Sequence, residues 1–522
     1  MERNVRLNRL IGACLFSGLV TGGASIGCYN ASNDCAYFAC DGTGGGTTTT
    51  TTTGGVGGGT GGTGGGTPDG CDPAEASGPV ADGCGVFVSP TGSDSNAGTK
   101  SKPLATLAAA IAKSQSSGKR VYACAKSFTE AAVLDAEATI YGGLDCDKSW
   151  AYVGGTTRTE WTAETDKVPV HVAAGVSLTL VDINVTSADA SEPGGSSIAI
   201  LAESGSNVDL TRCDVKSGRG ADGLPGTGFP GPAADGMKGS TGVDACNAAQ
   251  TITPDPPMNP CDGVASVGGA GGVGLLASGG AGDSGTPLGT VNGGAGEGAA
   301  ACTAGTAGMS GTDGEPGGGA SGLGLLDETG YKGVAGTAGK AGTPGQGGGG
   351  GGGAKGGSGA GKCSNAAKAA GASGGTGGSG GCGGGGGGGG SAGGASIAIV
   401  SLAATFTFKS VKVTAGDGGL GGDGGAGQGG GLGGSAGNGG SVPGGSTLKF
   451  GCAGGKGGDG GKGGTGGGGT GGHSIGIAYL GTAPDTAEAT IFFGKSGTGG
   501  SGDGVNDITK GANGVAKDVQ SF

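Results

Sequence analysis

Ser197–Lys216, SIAILAESGSNVDLTRCDVK, carries the pattern that decides the fold. After Ile198-Ala199-Ile200, apolar residues fall at Val208, Leu210, Cys213 and Val215, stepping by two, three and two. Alternation within each pair gives strand geometry, and the three-residue step places a corner between two strands. The same steps recur at Leu178, Leu180, Ile183 and Val185 after Val170-His171-Val172. They recur again at Phe406, Phe408, Val411 and Val413 after Ile397-Ala398-Ile399. A short strand, a turn, a strand, a corner and a further strand make one coil of a solenoid, so an all-β repeat fold is expected. Ile475-Gly476-Ile477 starts a fourth copy, although Ile491, Phe492 and Phe493 fit its second half poorly. Gly272–Leu276 and Gly322–Leu326 read as degenerate coils.

Glycine-rich sequence interrupts this pattern just after Val215 and again just after Val413, the same place in the coil. A thinner version, Ser187–Gly195, follows Val185. The inserts therefore leave one corner repeatedly and collect on one face, where repeat proteins often carry function. From Gly418 the residues run GGL, GGD, GGA, GQG, GGL, GGS, AGN, GGS, and from Gly454 they run GGK, GGD, GGK, GGT, GGG. A period of three fits an extended left-handed helix with three residues per turn. Bare glycine edges let such helices approach and exchange backbone hydrogen bonds. The competing reading is a flexible, disordered linker.

Composition limits the rest. The chain has 522 residues, 144 of them glycine, and only 4% aromatic residues, so no single large apolar core is available. A net charge of −12 argues against a nucleic-acid partner. Arg3, Arg6 and Arg9 before apolar Leu10–Val20 read as the start of a secretory signal. Ala24-Ser25-Ile26-Gly27-Cys28 then resembles a bacterial lipoprotein cleavage site, with Cys28 as the lipidated residue; ordinary signal cleavage is the alternative. Ser25 departs from the usual Leu of that motif. Tyr29 and Asn30 lack the Asp that in lipoproteins signals inner-membrane retention, which implies an outer-membrane or cell-surface address. No later run is apolar enough to span a membrane, leaving a lipid anchor as the expected membrane contact.

Fifteen cysteines fit an oxidising compartment. Pairing neighbours in sequence joins Cys35 with Cys40, Cys71 with Cys84, Cys124 with Cys146, Cys246 with Cys261, and Cys363 with Cys382. With Cys14 in the signal and Cys28 set aside, Cys213, Cys302 and Cys452 remain, and at least one thiol stays free unless a pairing is wrong. Zinc finds no CxxC and only His171 and His473.

Residues 29–82, with Thr47–Thr53 and Gly/Thr repeats, read as a polar spacer. Val86-Phe87-Val88, Val121–Cys124 and Thr139–Gly143 read as strands, and Leu104–Lys113 as a short helix opened by Pro103. VSPTGSDSNAGTKSKPLATLAAAI, then VYACAKSFTEAAVL and IYGGLD, resembles the N-terminal region of right-handed parallel β-helix proteins of the pectin-lyase-like superfamily, over roughly residues 85–150. That resemblance implies a right-handed parallel β-helix whose open end the helix caps. The superfamily contains lyases, hydrolases and non-catalytic surface proteins, so it does not choose an activity. The glycine-rich part resembles PGRS-type surface proteins in composition. The expected division is a signal at 1–27, a spacer at 28–82 and cap with first coils at 83–217. Inserts at 218–395 and 416–473 then flank a coil at 396–415, with a last coil and tail at 474–522.

Polysaccharide cleavage needs a carboxylate pair, or a metal-linked carboxylate cluster, with a basic residue near. Asp182, Asp209, Arg212, Asp214 and Lys216 are the candidates, but Asp209 and Asp214 alternate with core positions and should face solvent as ordinary outward charge. Asp94 and Asn96 offer calcium ligands or Asx-turn acceptors. GGLGGD at Gly418–Asp423 and GGKGGD at Gly454–Asp459 match the start of a calcium β-roll repeat, whose apolar position is glycine here (Gly425, Gly461). Collagen and phosphate-loop patterns fail. No catalytic, cofactor or metal residue is assigned. The expectation is a secreted, lipid-anchored envelope protein with a structural or adhesive role, whose candidate partner is extracellular polysaccharide or matrix. A polysaccharide lyase or hydrolase on the same scaffold is the alternative.

Overall fold

A computed structural model describes residues 70–522 except 77, 248–252, 288 and 503–506. The signal, Cys28, most of the spacer and the Cys35 with Cys40 pairing lie outside the described residues. The chain enters through β1 (Gly85–Val88) and helix α1 (Leu107–Ser117). β2 (Arg120–Cys124), β3 (Ser127–Thr129) and β4 (Ala132–Leu134) then enter three different sheets, A, B and C. β5 (Ala138–Asp145) returns to sheet A with the short antiparallel β6 (Ala151–Tyr152) on its end, and β7 (Thr159–Thr162) and β8 (Val170–Val172) enter B and C again. β9 (Ser177–Val181), β10 (Ile183–Thr186) and β11 (Ser197–Ala202) repeat the rotation.

After β12 (Asn207–Thr211) and β13 (Asp214–Lys216) comes the first long glycine-rich stretch. It holds two antiparallel hairpins, β14 (Met258–Asn259) with β15 (Ser266–Val267), and β16 (Leu325–Asp327) with β17 (Gly330–Lys332). β18 (Ser396–Leu402) resumes sheet C, and β19 (Thr405–Lys409) and β20 (Val411–Thr414) follow in A and B. After the second stretch, β21 (Ser474–Leu480), β22 (Ala489–Phe492) and β23 (Ala516–Ser521) enter C, B and C. Residues 481–488 form no strand, so sheet A ends at β19, and this is why the fourth copy fits poorly. All strands that stack from round to round pair in parallel.

The apolar spacing has a direct cause. Leu178, Val208 and Phe406 stand in register across sheet A, and Val185, Val215 and Val413 across sheet B, all buried. Between the paired strands sit Asp182, Arg212 and Ser410, each with positive φ (56°, 52° and 54°). One left-handed residue turns the chain from sheet A to sheet B. The Asp182 N–H donates to Thr211 O and the Arg212 N–H to Lys409 O, so the corners stack as well as the strands. β11 and β18 of sheet C are buried on both faces, because Leu326 and Tyr331 of the β16–β17 hairpin cluster with Ile198, Leu201, Ile397 and Val400. These strands therefore read as continuous apolar runs.

The glycine-rich stretches form their own ordered array. From Gly345 to Ala354 every N–H donates in turn to three neighbouring segments, beginning Gly345 to Gly381, Gln346 to Met309 and Gly347 to Thr286. The carbonyls of Gly348, Gly349 and Gly350 accept from Gly269, Gly455 and Gly294, in three further segments. Glycine is required at this spacing: a Cβ on Gly350 would overlap the Ala270 carbonyl, and one on Gly349 the Asn292 carbonyl. Where the array meets solvent, the third residue of a triplet substitutes for the missing neighbour. Asp222 accepts from the Leu420 N–H, Asp235 from Leu432 and Asp244 from Ser441, all at 2.7 Å. Within the array, the buried Ser373, Thr376 and Ser379 side chains likewise accept from the Val243, Ser240 and Met237 N–H groups.

Four expectations need correction. Gly272–Leu276 and Gly322–Leu326 join none of the three sheets: Gly274 bridges Gly279 antiparallel, and Leu325 starts the β16–β17 hairpin. Helix α1 starts at Leu107 and not Leu104, because Thr106 caps it and Leu104 bridges Val88. Two disulfides also differ. Cys246 pairs with Cys363 and Cys261 with Cys382, while Cys302 pairs with Cys452; the 71–84 and 124–146 bridges form as expected. Lateral packing decides these pairs. Cys246 N–H donates to Ala370 O and Asn259 Nδ2 to Gly380 O, which brings distant segments together.

Gly350→Ala should lower stability by about 2 kcal/mol or more, since the obstructing atom is backbone and cannot repack. Gly231→Ala, with nothing within 4 Å of its added Cβ, should stay within about 0.5 kcal/mol of wild type. Urea titration of both variants checks the contrast. Accepted hydrogen bonds hold the carboxyls of Asp244 (from the Ser441 hydroxyl, then its N–H) and Asp459 (from the Gly433 N–H) below the ordinary range. A depressed pKa contributes stability above the unfolded value of about 4 and loses it as pH falls through the folded value. Melting temperature should therefore fall with pH below about 4, and less steeply in Asp244→Asn.

Candidate functional site

Loop 146–158 folds back over the corner between sheets A and B, anchored by the Cys124–Cys146 bridge. Close backbone approach makes this fold-back dependent on glycine. A Cβ on Gly143 (φ 69°) would strike Gly154, and one on Gly154 would strike Tyr152 and Asp182. With both as glycine, the Tyr152 hydroxyl reaches Asp182 Oδ2 at 2.9 Å. Arg212, one round further on, grips the same carboxylate with Nε at 2.8 Å and Nη2 at 2.7 Å. Asp182 is 2% exposed, so both its oxygens are occupied and shielded. The hydrogen bond to Asp182 raises the Arg212 pKa, while burial and then the carboxylate raise that of the Tyr152 phenol. With both pKa values raised, neither Arg212 nor Tyr152 is poised to move a proton near neutrality.

Beyond this corner the loop walls a groove of about 500 Å³ on sheet B, lined by Lys126, Arg158, Glu160, Asn184 and Asp214. Arg158 Nη1 pairs with Asp214 Oδ1 at 2.8 Å and reaches Asn184 Oδ1 at 3.4 Å. Asn184 Nδ2 donates to Glu160 Oε1 at 2.7 Å. Lys126 pairs with Asp147 at 3.0 Å.

The residues singled out from sequence are thus dispersed. Asp182 and Arg212 meet at the corner, Asp214 and Lys216 lie on sheet B, and Asp209 faces solvent from sheet A. Asp209 and Asp214 both face outward, as their alternation implied. The structure adds Tyr152, Arg158, Glu160 and Asn184. Asn184 was within reach of sequence reasoning, because it holds the position in its round that Asp214 and Lys412 hold in theirs. Tyr152 and Arg158 come from a loop without periodicity.

The calcium candidates have other work. Asp94 accepts from the Ala105 and Thr106 N–H groups and the Thr106 hydroxyl, and Asn96 Nδ2 donates to Pro103 O. Asp423 accepts from Ser501, and Asp459 from Gly433 and Lys456. Among the described residues no group of three His, Cys, Asp or Glu is placed to hold a metal ion. Cys213 is unpaired in the core, donates to Leu180 O and Thr211 O, and burial pushes its thiol up to about 12.

No family model and no curated protein matches this chain. One solved structure, described as a rhamnogalacturonan lyase, is similar at 17% identity with a TM-score of 0.19. The match covers 26% of this chain and 36% of that one, about a third of its length. A likeness that slight carries no argument about activity.

Arg212→Met should destabilise the protein by on the order of 3 kcal/mol, since it strands a buried carboxylate with one hydroxyl partner. Asp182→Leu combined with Arg212→Met should cost less than Arg212→Met alone. Chemical denaturation of the single and double variants checks the order.

Proposed function

We propose that this chain is a secreted, lipid-anchored protein of the outer membrane or cell surface with a structural or adhesive role. Its body is a right-handed parallel β-helix, and its inserts are polyglycine-II-type helices packed beside that body. The observation that carries the reading is the glycine array, in which Gly345–Ala354 donate every N–H to neighbouring segments. Such packing holds a broad surface in place with little apolar core, which suits presentation to matrix or polysaccharide. Three disulfides close loops across the glycine-rich segments, with sequence separations of 117, 121 and 150 residues. Loops of that length restrict the unfolded chain strongly, and they need an oxidising compartment.

The lyase or hydrolase alternative asks for a carboxylate and base set free to act. Asp182 is saturated by Arg212 and Tyr152, Asp209 faces solvent from sheet A, and Asp214 and Glu160 are each held by a neighbour, Arg158 and Asn184. That distribution favours the structural reading.

Cys28→Ser, expressed as the full chain in a Gram-negative host, should move the protein from the membrane fraction to the soluble fraction. Cells displaying the wild type should gain attachment to polysaccharide-coated surfaces. Shortening of the polysaccharide that vanishes in Asp214→Ala would overturn the structural role, and membrane retention of Cys28→Ser would overturn the anchor.

A further inference from the structure

We propose that the outer face of sheet B is a binding strip for a neutral, extended glycan, an inference that rests on the extracellular reading above. The register places Ser127, Glu160, Asn184, Asp214, Lys412 and Thr490 in one row across consecutive strands. A second row beside it holds Thr129, Thr162, Thr186, Lys216, Thr414 and Phe492. Their alternate neighbours Trp161, Ile183, Val185, Val215 and Val413 fill the core, so both rows face outward. Neighbouring strands lie about 4.8 Å apart. That interval is close to the length of one sugar residue along an extended chain. A glycan crossing the strands would meet a pair of outward side chains at the same position of each strand.

The side chains suit hydroxyl groups. Glu160, Asn184, Asp214 and Arg158 are planar and offer paired donors or acceptors to vicinal hydroxyls. They are already held in place by one another, through Asn184 Nδ2 to Glu160 Oε1 and Arg158 Nη1 to Asp214 Oδ1. Glu160 Oε2 and Asp214 Oδ2 accept nothing among the described residues. Fixing these groups before binding lowers the ordering cost. Phe492 is 48% exposed at the end of its row, with Lys412 Nζ 5.3 Å from its ring centre, and it presents an apolar surface to a sugar face.

Charge selects a neutral chain over an acidic one. Arg158 is paired with Asp214 and Lys126 with Asp147, while Glu160 balances one of the remaining lysines, Lys216 and Lys412. Near balance leaves no field to draw in a polyanion. The loop at 146–158 walls one side of the groove, and Thr179, Asp209 and Thr407 form a separate outward row on sheet A. Sheet A therefore supplies a control surface.

The test is affinity electrophoresis of the purified full chain through gels containing xyloglucan or hydroxyethyl cellulose, with polygalacturonate and alginate as acidic probes. Wild type should be retarded by a neutral polymer, and the retardation should persist in about 0.5 M NaCl. Asn184→Ala and, separately, Lys412→Ala should each weaken retention about tenfold, the loss of one charge-assisted hydrogen bond. Thr407→Ala on sheet A should change nothing, and melting temperatures should confirm that all variants fold. Equal retention of wild type and both sheet B variants would overturn the strip while leaving the extracellular reading in place. Retention by the acidic polymers alone, lost in salt, would overturn the neutral specificity. No retention by any polymer, in a protein that still reaches the cell surface and adheres, would overturn the glycan strip alone.

Discussion

The structure depends on how closely two peptide backbones can approach when neither carries a side chain. A buried N–H or carbonyl must find a partner, or folding loses its desolvation cost. In sheets the pleat solves this with two neighbours per strand. In the glycine-rich segments each chain turns its polar groups outward in three directions, so one segment bonds neighbours all round. Gly348–Gly353 has all these groups satisfied, and the carbonyls of Ala270, Asn292 and Cys452 occupy the places where side chains would begin. Glycine gives up more conformational freedom on folding than any other residue. The array has almost no apolar burial to offset that loss. Dense hydrogen bonding and the long-range disulfides supply what the core does not.

The strand body and the array are joined by a small set of polar residues. Ser197, Ser396 and Ser474 stand in register at the start of β11, β18 and β21, where the glycine segments meet sheet C. Ser197 pairs with Ser187, Ser396 with Ser217, and Ser474 donates to Gly416 O, so each serine ties the start of an insert to the strand that follows it. His473 does related work at the far end. Its Nδ1 accepts the Val515 N–H and its Nε2 bonds Leu323 O, fixing the neutral tautomer as burial lowers its pKa. The acidic composition has a similar origin. Asp222, Asp235, Asp244, Asp313 and Asp417 each accept a backbone N–H at the rim of the array. They look like surface charge in the sequence, but they finish the hydrogen bonding of the layer behind them.

Much of the strand body was legible because side-chain burial imposes a period. Val208, Leu210, Cys213 and Val215 announced two strands and a corner, and Arg212 at φ 52° is that corner. The exit of the glycine stretches after Val215 and Val413 was legible for the same reason. What lay beyond periodicity was not. Cys246 and Cys261 are near in sequence, yet their partners Cys363 and Cys382 are set by lateral packing that leaves no local trace. The missing sheet A strand at 481–488 and the β16–β17 hairpin also depend on distant contacts. At the candidate site, Asp214 was visible and Asn184 recoverable from the repeat. Arg158 and Tyr152 were not, since they reach the site through a loop whose course depends on Gly143 and Gly154.

The central claim is that the glycine-rich segments are an ordered, hydrogen-bonded array and not a tether. Amide hydrogen exchange resolved to Gly345–Ala354 tests it most directly. The account predicts protection for these amides comparable to that of Val208–Leu210 in the strand body, because both sets are internally bonded. Exchange at the rate of an unstructured chain, with the strand body still protected, would contradict it.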